Sequence, residues 1–337
     1  MTRPNQPKIV LWRSMYDPVG LDILRERGAD VVLVDSSDPA DVIAALRGAS
    51  ALWFRYPERV DREILEAAQD LVVVSTSGFG TDKVDIAAAT SLGILVVNQP
   101  GFGRIPVSEH TLTLMLAAAK RLVWSDRSTR DGTAWTQRSG LTITELEGKT
   151  VGIVGLGYVG SELARKLIAA FGCRVLGYDP YVDPRLAQLA GVEMVSALDA
   201  MLRQSAFLCL CPVLTEETER MIGRRELALL PEGAIVVNTS RGRVLDLDAV
   251  ADALKSGRVR AAGLDVYEPE PLPADQPLVG NPDVLLTPHT GGLSVETTSR
   301  MTVSAIDQIF AAIAGDMPHA PVNREVWSQP QSRRPRQ

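Results

Sequence analysis

Short apolar runs alternate with amphipathic segments along almost the whole chain, and they fall into two similar halves. In the first hundred residues, apolar runs at 8–12, 30–35, 51–54, 71–75 and 94–98 predict strands. The segments between them, near 18–27, 39–46, 62–69 and 84–92, have helical composition. Strands that are apolar throughout and separated by helices imply a parallel sheet covered on both faces. A long helix is predicted from 107 to about 125, entered through Pro106 in its first turn. A polar, loop-rich stretch with Trp135 follows at 129–148. From Lys149 the alternation resumes, with strands at 151–154, 174–178, 193–195, 207–211, 234–238, 261–265 and 284–287. The last helix runs from a Ser294 cap to 314 and stops at Gly315. No strand of its own unit follows it, so it is free to return and cover the first. Residues 328–337 (SQPQSRRPRQ) are poor in apolar side chains and are expected to form a disordered tail.

The bulk figures narrow this picture without changing it. A length of 337 residues gives room for two domains, each with its own core. With 45% hydrophobic and 23% charged residues, the composition is that of a globular protein. A formal charge of −6 argues against nucleic acid or an anionic membrane as the main partner. No apolar run reaches the ~18 residues that a membrane span needs. Residues 1–7 lack the apolar core of a signal peptide, so a cytoplasmic location is expected. Cys173, Cys209 and Cys211 have no His or Cys cluster beside them, so free thiols are expected and no metal site.

The first unit has no phosphate-loop pattern, whereas the second opens on one. Residues 151–160 read VGIVGLGYVG, a buried strand running into Gly155, Gly157 and Gly160 at G-x-G-x-x-G spacing, with a helix after them. That order gives the motif its meaning. Gly155 permits a tight turn, Gly157 lets backbone approach a pyrophosphate, and Gly160 lets helix pack on strand. The open amides and positive dipole of the helix would then face the phosphates. Asp179 ends the next strand, about the ~20 residues on at which an acid binds the adenosine ribose. Pro180 and Tyr181 follow it rather than an Arg, which favours NAD over NADP.

Three late segments carry ionisable groups at the carboxyl ends of strands. They are NTSRGRVLD at 238–246 with Arg241, AGLDVYEPEP at 262–271 with Asp265, Glu268 and Glu270, and TPHTGG at 287–292 with His289. Singly, each has an ordinary reading as a loop charge or a turn histidine. At one edge of a dinucleotide-binding sheet they form a candidate site. The other histidines, His110 and His319, lie on the connector helix and near the tail. Reducing a 2-oxo acid needs a coenzyme, a proton donor for the carbonyl oxygen and a cation for the carboxylate. Arg241 offers a planar fork for the oxygens, and His289 can give or take the proton near neutrality. Glu270 would orient the ring and hold its imidazolium form. There is no credible Ser or Cys nucleophile.

With these motifs together, the sequence resembles the NAD-dependent D-2-hydroxyacid dehydrogenase family over residues 8–318. The matching stretches are SGFGTDKVD, PGFGRIPVSEHTL, ELEGKTVGIVGLGYVG, LTEET, NTSRGRVLD, LDVYEPEPLP and LLTPHTGG. The resemblance implies two doubly wound α/β domains. A flavodoxin-like substrate domain (1–105 with 294–327) would hold an inserted Rossmann NAD domain (106–293) that also forms a homodimer. It places the catalytic Arg, Glu and His on Arg241, Glu270 and His289. Cofactor contacts fall on Tyr158 and Val159 at the glycine turn, and on Asp179, Thr218, Thr239 and Asp265. The loop of Ser77, Gly78, Phe79 and Gly80 would hold the substrate carboxylate through its amides, with Arg55 as a further substrate contact. Cys211 and Val213 stand where the family often has His and Pro, and Lys83 replaces the Asn of G-x-D-N.

The expected activity is NAD-dependent interconversion of a small D-2-hydroxy acid and its 2-oxo partner. An alternative is a D-3-phosphoglycerate dehydrogenase-like activity on a phosphorylated substrate, with Arg55, Lys83 and Arg104 as candidate cations. A more distant alternative is a non-catalytic, NAD-sensing regulator on the same fold, since fold alone does not settle function.

Overall fold

The computed structural model describes residues 6–335. The chain divides into two compact units, Met1–Gly103 with Leu293–Gln337, and Arg104–Gly292.

The first unit is a five-stranded parallel sheet. Strands β1 (Lys8–Trp12), β2 (Asp30–Val34), β3 (Ala51–Phe54), β4 (Val73–Thr76) and β5 (Leu95–Val97) lie in the order β2-β1-β3-β4-β5. Side chains alternate between the faces of a strand, and here both faces are buried. Val10, Trp12, Leu52, Phe54, Val74 and Val96 pack on one side with Ile64, Leu65 and Ile94. Ile9, Leu11, Trp53, Val73 and Leu95 pack on the other with Ala305, Ile306 and Ile309. Those last three belong to the helix Val295–Ala314, which starts at a Ser294 cap and stops at Gly315, φ 87°. So the final helix does return to cover the first sheet.

The second unit is a seven-stranded parallel sheet: β6 (Thr150–Val154), β7 (Arg174–Tyr178), β8 (Glu193–Met194), β9 (Phe207–Leu210), β10 (Ala234–Asn238), β11 (Val259–Leu264) and β12 (Val284–Leu286). Their order is β12-β11-β10-β9-β6-β7-β8. The chain therefore reverses direction across the sheet beside β6. That is the switch point where open α/β sheets bind ligands, beyond the carboxyl ends of the strands.

Three expectations need correction. The single helix predicted over 107–125 is two, Arg104–Ala119 and Leu122–Arg130, with Arg121 between them at φ 49°. No Gly or Pro marks the break. Arg121 leaves the helix to pair with Asp283, and the freed carbonyl of Ala119 accepts from the Thr144 amide at 3.0 Å. The polar stretch after it is partly helical, at Ala134–Gln137 and in a 3-10 turn at Arg138–Gly140.

The stretch expected as a disordered tail is docked as far as its described residues go. A 3-10 turn at Arg324–Ser328 buries Val326 and Trp327. The Arg333 amide then donates to Gly93 O at 3.0 Å, and its guanidinium reaches the carbonyls of Ala68 and Leu71. Composition missed this because backbone carbonyls, not an apolar core, hold the segment. Asn323 ties the same region down from inside: its Oδ1 accepts from the Val96 amide at 2.8 Å, and its Nδ2 donates to Thr90 Oγ1 and Ile94 O. Asn323→Ala is expected to cost about 2–4 kcal/mol, because a buried amide and carbonyl lose their partners. Urea unfolding followed by tryptophan fluorescence checks this; an unchanged midpoint would contradict it.

Candidate active site

The glycine turn after β6 is built as its sequence requires. Gly155 has φ 84°, and a Cβ there would stand 2.7 Å from the Pro212 backbone. A Cβ on Gly160 would stand 2.0 Å from Gly155 O, so helix Tyr158–Phe171 can start this close to β6 only without a side chain. Gly157 caps that helix and faces open space. Tyr158 is exposed beside it, and Val159 is half-buried. Asp179, after β7, accepts from the Leu156 amide through Oδ2 at 2.8 Å and from the Tyr181 amide through Oδ1 at 2.9 Å. The carboxylate is thereby locked onto the turn, and each oxygen keeps a further lone pair for a hydroxyl.

At the far strands, two residues out of the sheet set the local geometry. Asp265 follows β11 and is 2% exposed. Its Oδ1 receives Thr287 Oγ1 at 2.6 Å and the Thr290 amide at 2.9 Å, and its Oδ2 receives the Gly291 amide at 2.9 Å. Burial pushes this carboxyl's pKa up, but hydrogen bonds from His110, Thr287 and the two amides outweigh it and hold the group below the usual range. The Asp265 carbonyl accepts the His289 amide at 2.8 Å. His289 itself sits at φ 54°, a left-handed conformation that few non-glycine residues adopt.

The predicted pair forms. His289 Nδ1 lies 2.9 Å from Glu270 Oε2, and Glu270 Oε1 accepts the Tyr267 amide at 2.9 Å. Glu270 is held on both oxygens, with a side chain 9% exposed. Tyr267 fastens the two loops together by directing its hydroxyl at Leu264 O and Thr287 O, each 2.8 Å away. Burial, with the charge of Asp265 added, pushes that phenol's pKa upward.

Arg241 begins the turn after β10 and directs Nη1 at Ser240 O, 2.7 Å away. Asn238, fully buried, braces the turn by donating to Arg241 O at 3.0 Å and accepting from the Ser240 amide and hydroxyl. A Cβ on Gly242 would stand 1.9 Å from Tyr267 O, so this glycine lets the Arg241 turn back directly onto the segment that carries Glu270. Thr239 meets Thr111 Oγ1 at 2.7 Å in the interior. Thr218 braces its own turn, donating to Val213 O at 2.6 Å.

In the first unit, Arg55 follows β3 with its guanidinium 5.3 Å from the Tyr16 ring centre. The carbonyl of Gly78 accepts from Thr76 Oγ1 and the Gln99 amide, and that of Phe79 from Asn98 Nδ2. The 77–80 loop is thus fixed by its carbonyls. Tyr16 and His110 are the groups that sequence reading passed over; each shows only through what it touches. Cys173, Cys209 and Cys211 are free, and burial pushes the Cys211 thiol up to about 12. Among the described residues no cluster could hold a metal ion, and no helix is long and apolar enough to cross a membrane.

The sequence model of the family described as D-isomer specific 2-hydroxyacid dehydrogenase, NAD binding domain, matches residues 112–291. The chain is 36% identical over 329 residues to glyoxylate reductase of Aeropyrum pernix, covering 95% of this chain and 97% of that one. It is 42% identical over 294 residues to D-3-phosphoglycerate dehydrogenase of Mycobacterium tuberculosis, covering 87% of this chain and 55% of the relative. It therefore spans about half the length of the phosphoglycerate dehydrogenases it matches. The crystal structure of holo D-mandelate dehydrogenase from Rhodotorula graminis has a TM-score of 0.85 at 25% identity, covering 94% of this chain and 98% of that one. The chain belongs to the D-isomer specific 2-hydroxyacid dehydrogenase family, and its second unit is that family's NAD-binding domain.

Because no Cβ fits between Gly160 and Gly155 O, Gly160→Ala is expected to open the turn and weaken NADH binding by about tenfold or more. Titration of NADH fluorescence measures this; wild-type affinity in the variant would contradict the assignment.

Proposed function

We propose that the protein is an NAD-dependent oxidoreductase that interconverts a small D-2-hydroxy acid and its 2-oxo acid. The observation that carries the reading is the 2.9 Å contact of His289 Nδ1 with a Glu270 carboxylate already fixed by the Tyr267 amide. An ionised Glu270 takes the Nδ1 proton in a hydrogen bond, which leaves Nε2 as the nitrogen that exchanges a proton with substrate. His289 then protonates the carbonyl oxygen in reduction and removes the hydroxyl proton in oxidation. Arg241 binds the carboxylate and carbonyl oxygens with its planar fork.

The coenzyme has a matching cradle. The open space at Gly157, the helix start behind it and the locked Asp179 suit a pyrophosphate and a ribose diol. Gly155, Gly157, Tyr158, Val159 and Gly160 would hold the phosphates, Asp179 the ribose, and Thr218, Thr239 and Asp265 further parts of NAD. When bound, NAD supplies or takes up the two electrons and the hydrogen of the alcohol–ketone interconversion. In the first unit we assign Arg55 and the loop of Ser77, Gly78, Phe79 and Gly80 to the substrate, on the strength of the family resemblance.

A phosphorylated three-carbon substrate is the second reading. It is supported by Arg55 over Tyr16 and Lys83 over Tyr56, two cations at neighbouring loops, and by the relatives named D-3-phosphoglycerate dehydrogenase. A homodimer is part of the proposal, supported by the exposed apolar side chains Leu122, Val123, Trp135 and Ile143 in the second unit. A cytoplasmic location is too, supported by three unpaired thiols.

A panel of glyoxylate, hydroxypyruvate, pyruvate, phosphohydroxypyruvate and a branched 2-oxo acid, each with NADH and NADPH, tests the activity. Turnover with NADH is expected for at least one acid and weaker turnover with NADPH; none with any acid would end the enzyme reading. His289→Ala is expected to lower kcat by about 10²-fold or more, the scale of a lost proton-transfer group; a non-catalytic NAD sensor would bind coenzyme unchanged and show nothing to lose. Arg55→Ala is expected to raise KM for phosphohydroxypyruvate far more than for glyoxylate if the second reading holds, and equal effects on the two would count against it.

A further inference from the structure

His110 lies on the helix Arg104–Ala119, outside every group assigned a role above. Its Nε2 is 2.9 Å from Thr287 Oγ1 and 3.3 Å from Asp265 Oδ1. Thr287 has a single hydroxyl proton, and the 2.6 Å contact with Asp265 Oδ1 uses it. Toward His110 the Thr287 oxygen can therefore only accept, so His110 Nε2 carries a proton.

The same Asp265 carboxylate receives the amides of Thr290 and Gly291, the two residues after His289. The Asp265 carbonyl receives the amide of His289 itself. The left-handed backbone of His289 is thus held from three sides by one buried residue, whose own charge is satisfied partly by His110. We infer that His110 is a positioning residue: as an Nε2–H donor it fixes the Asp265–Thr287 pair, and through that pair the aim of the His289 ring at Glu270 and at substrate. The inference rests on the assignment of His289 as the proton-exchanging group.

Without this donor the Thr287 oxygen loses one of its two hydrogen bonds, and Asp265 loses the Nε2–H that stands 3.3 Å away, in a place with little water to replace either. The 287–291 turn then loosens without losing its packing. His110→Phe keeps the ring and removes the donor, whereas His110→Gln keeps an N–H at similar reach. His110→Phe is expected to lower kcat by about tenfold to a hundredfold, the cost of a misaimed group. Affinity for NADH should weaken by a smaller factor than kcat falls, because Asp265 is only one of the proposed NAD contacts and the glycine turn and Asp179 are untouched. His110→Gln is expected to recover most of the loss.

A second readout needs no turnover. The chain has three histidines, so the ring nitrogens of 15N-histidine-labelled full-length protein can be assigned by substitution. His110 is expected to show a protonated Nε2, and His110→Phe should move the His289 ring signals while leaving those of His319 in place. A bare Nε2 on His110 would overturn the inference, as would unmoved His289 signals in the Phe variant, or a Gln variant as impaired as Phe. If the wild-type protein reduces no 2-oxo acid, the functional reading fails on its own. The tautomer of His110 and the response of His289 still judge the positioning role.

Discussion

Asp265 places a carboxylate where almost no solvent reaches it, and much of the second unit's chemistry is arranged around keeping it charged. A buried carboxylate without partners costs several kcal/mol and would sooner take up a proton. This one is instead held ionised by Thr287, the amides of Thr290 and Gly291, and His110. Meeting that demand shapes the chain after β12. The amides at 290 and 291 can both point at one carboxylate because the residue before them is left-handed, and that residue is His289. An electrostatic requirement of the interior thus becomes a geometric instruction for a side chain at the surface. Tyr267 and Glu270 continue it outward, joining the loops after β11 and β12 and catching the imidazole at Nδ1.

The architecture was legible because each of its elements has a local cause. Strands apolar at every position occur in parallel sheets covered on both faces, and the two core layers of the first unit divide the residues of β1, β3 and β4 alternately. The glycine turn was legible for a similar reason, since Gly155 and Gly160 answer to backbone contacts that exclude any side chain, while Gly157 leaves open space at the start of the helix. Arg241, Glu270 and His289 stood out as candidates because ionisable residues in the loops that follow strands are conspicuous.

What stayed hidden depends on partners distant in sequence. The helix break at Arg121 answers to Asp283, the docking of the chain end answers to the carbonyls of Ala68, Leu71 and Gly93, and His110 answers to Thr287. No local pattern marks any of them. The same limit applies to the substrate. Glycines and Asp179 are enough to read a coenzyme, which is common to the whole family. The proposed substrate contacts are a few loop residues, Arg55, Lys83 and the 77–80 turn, whose types suit several acids. Relatives named D-3-phosphoglycerate dehydrogenase and glyoxylate reductase both match, at 42% and 36% identity.

In the proposed function, Arg241, Glu270 and His289 serve a D-specific reduction fed by NADH. The test is to follow deuterium from NADH dideuterated at C4 into the product, with hydroxypyruvate as acceptor and the product resolved on a chiral column. The expected product is D-glycerate carrying one deuterium at C2 and none elsewhere. Unlabelled product, or product of the L configuration, would contradict it.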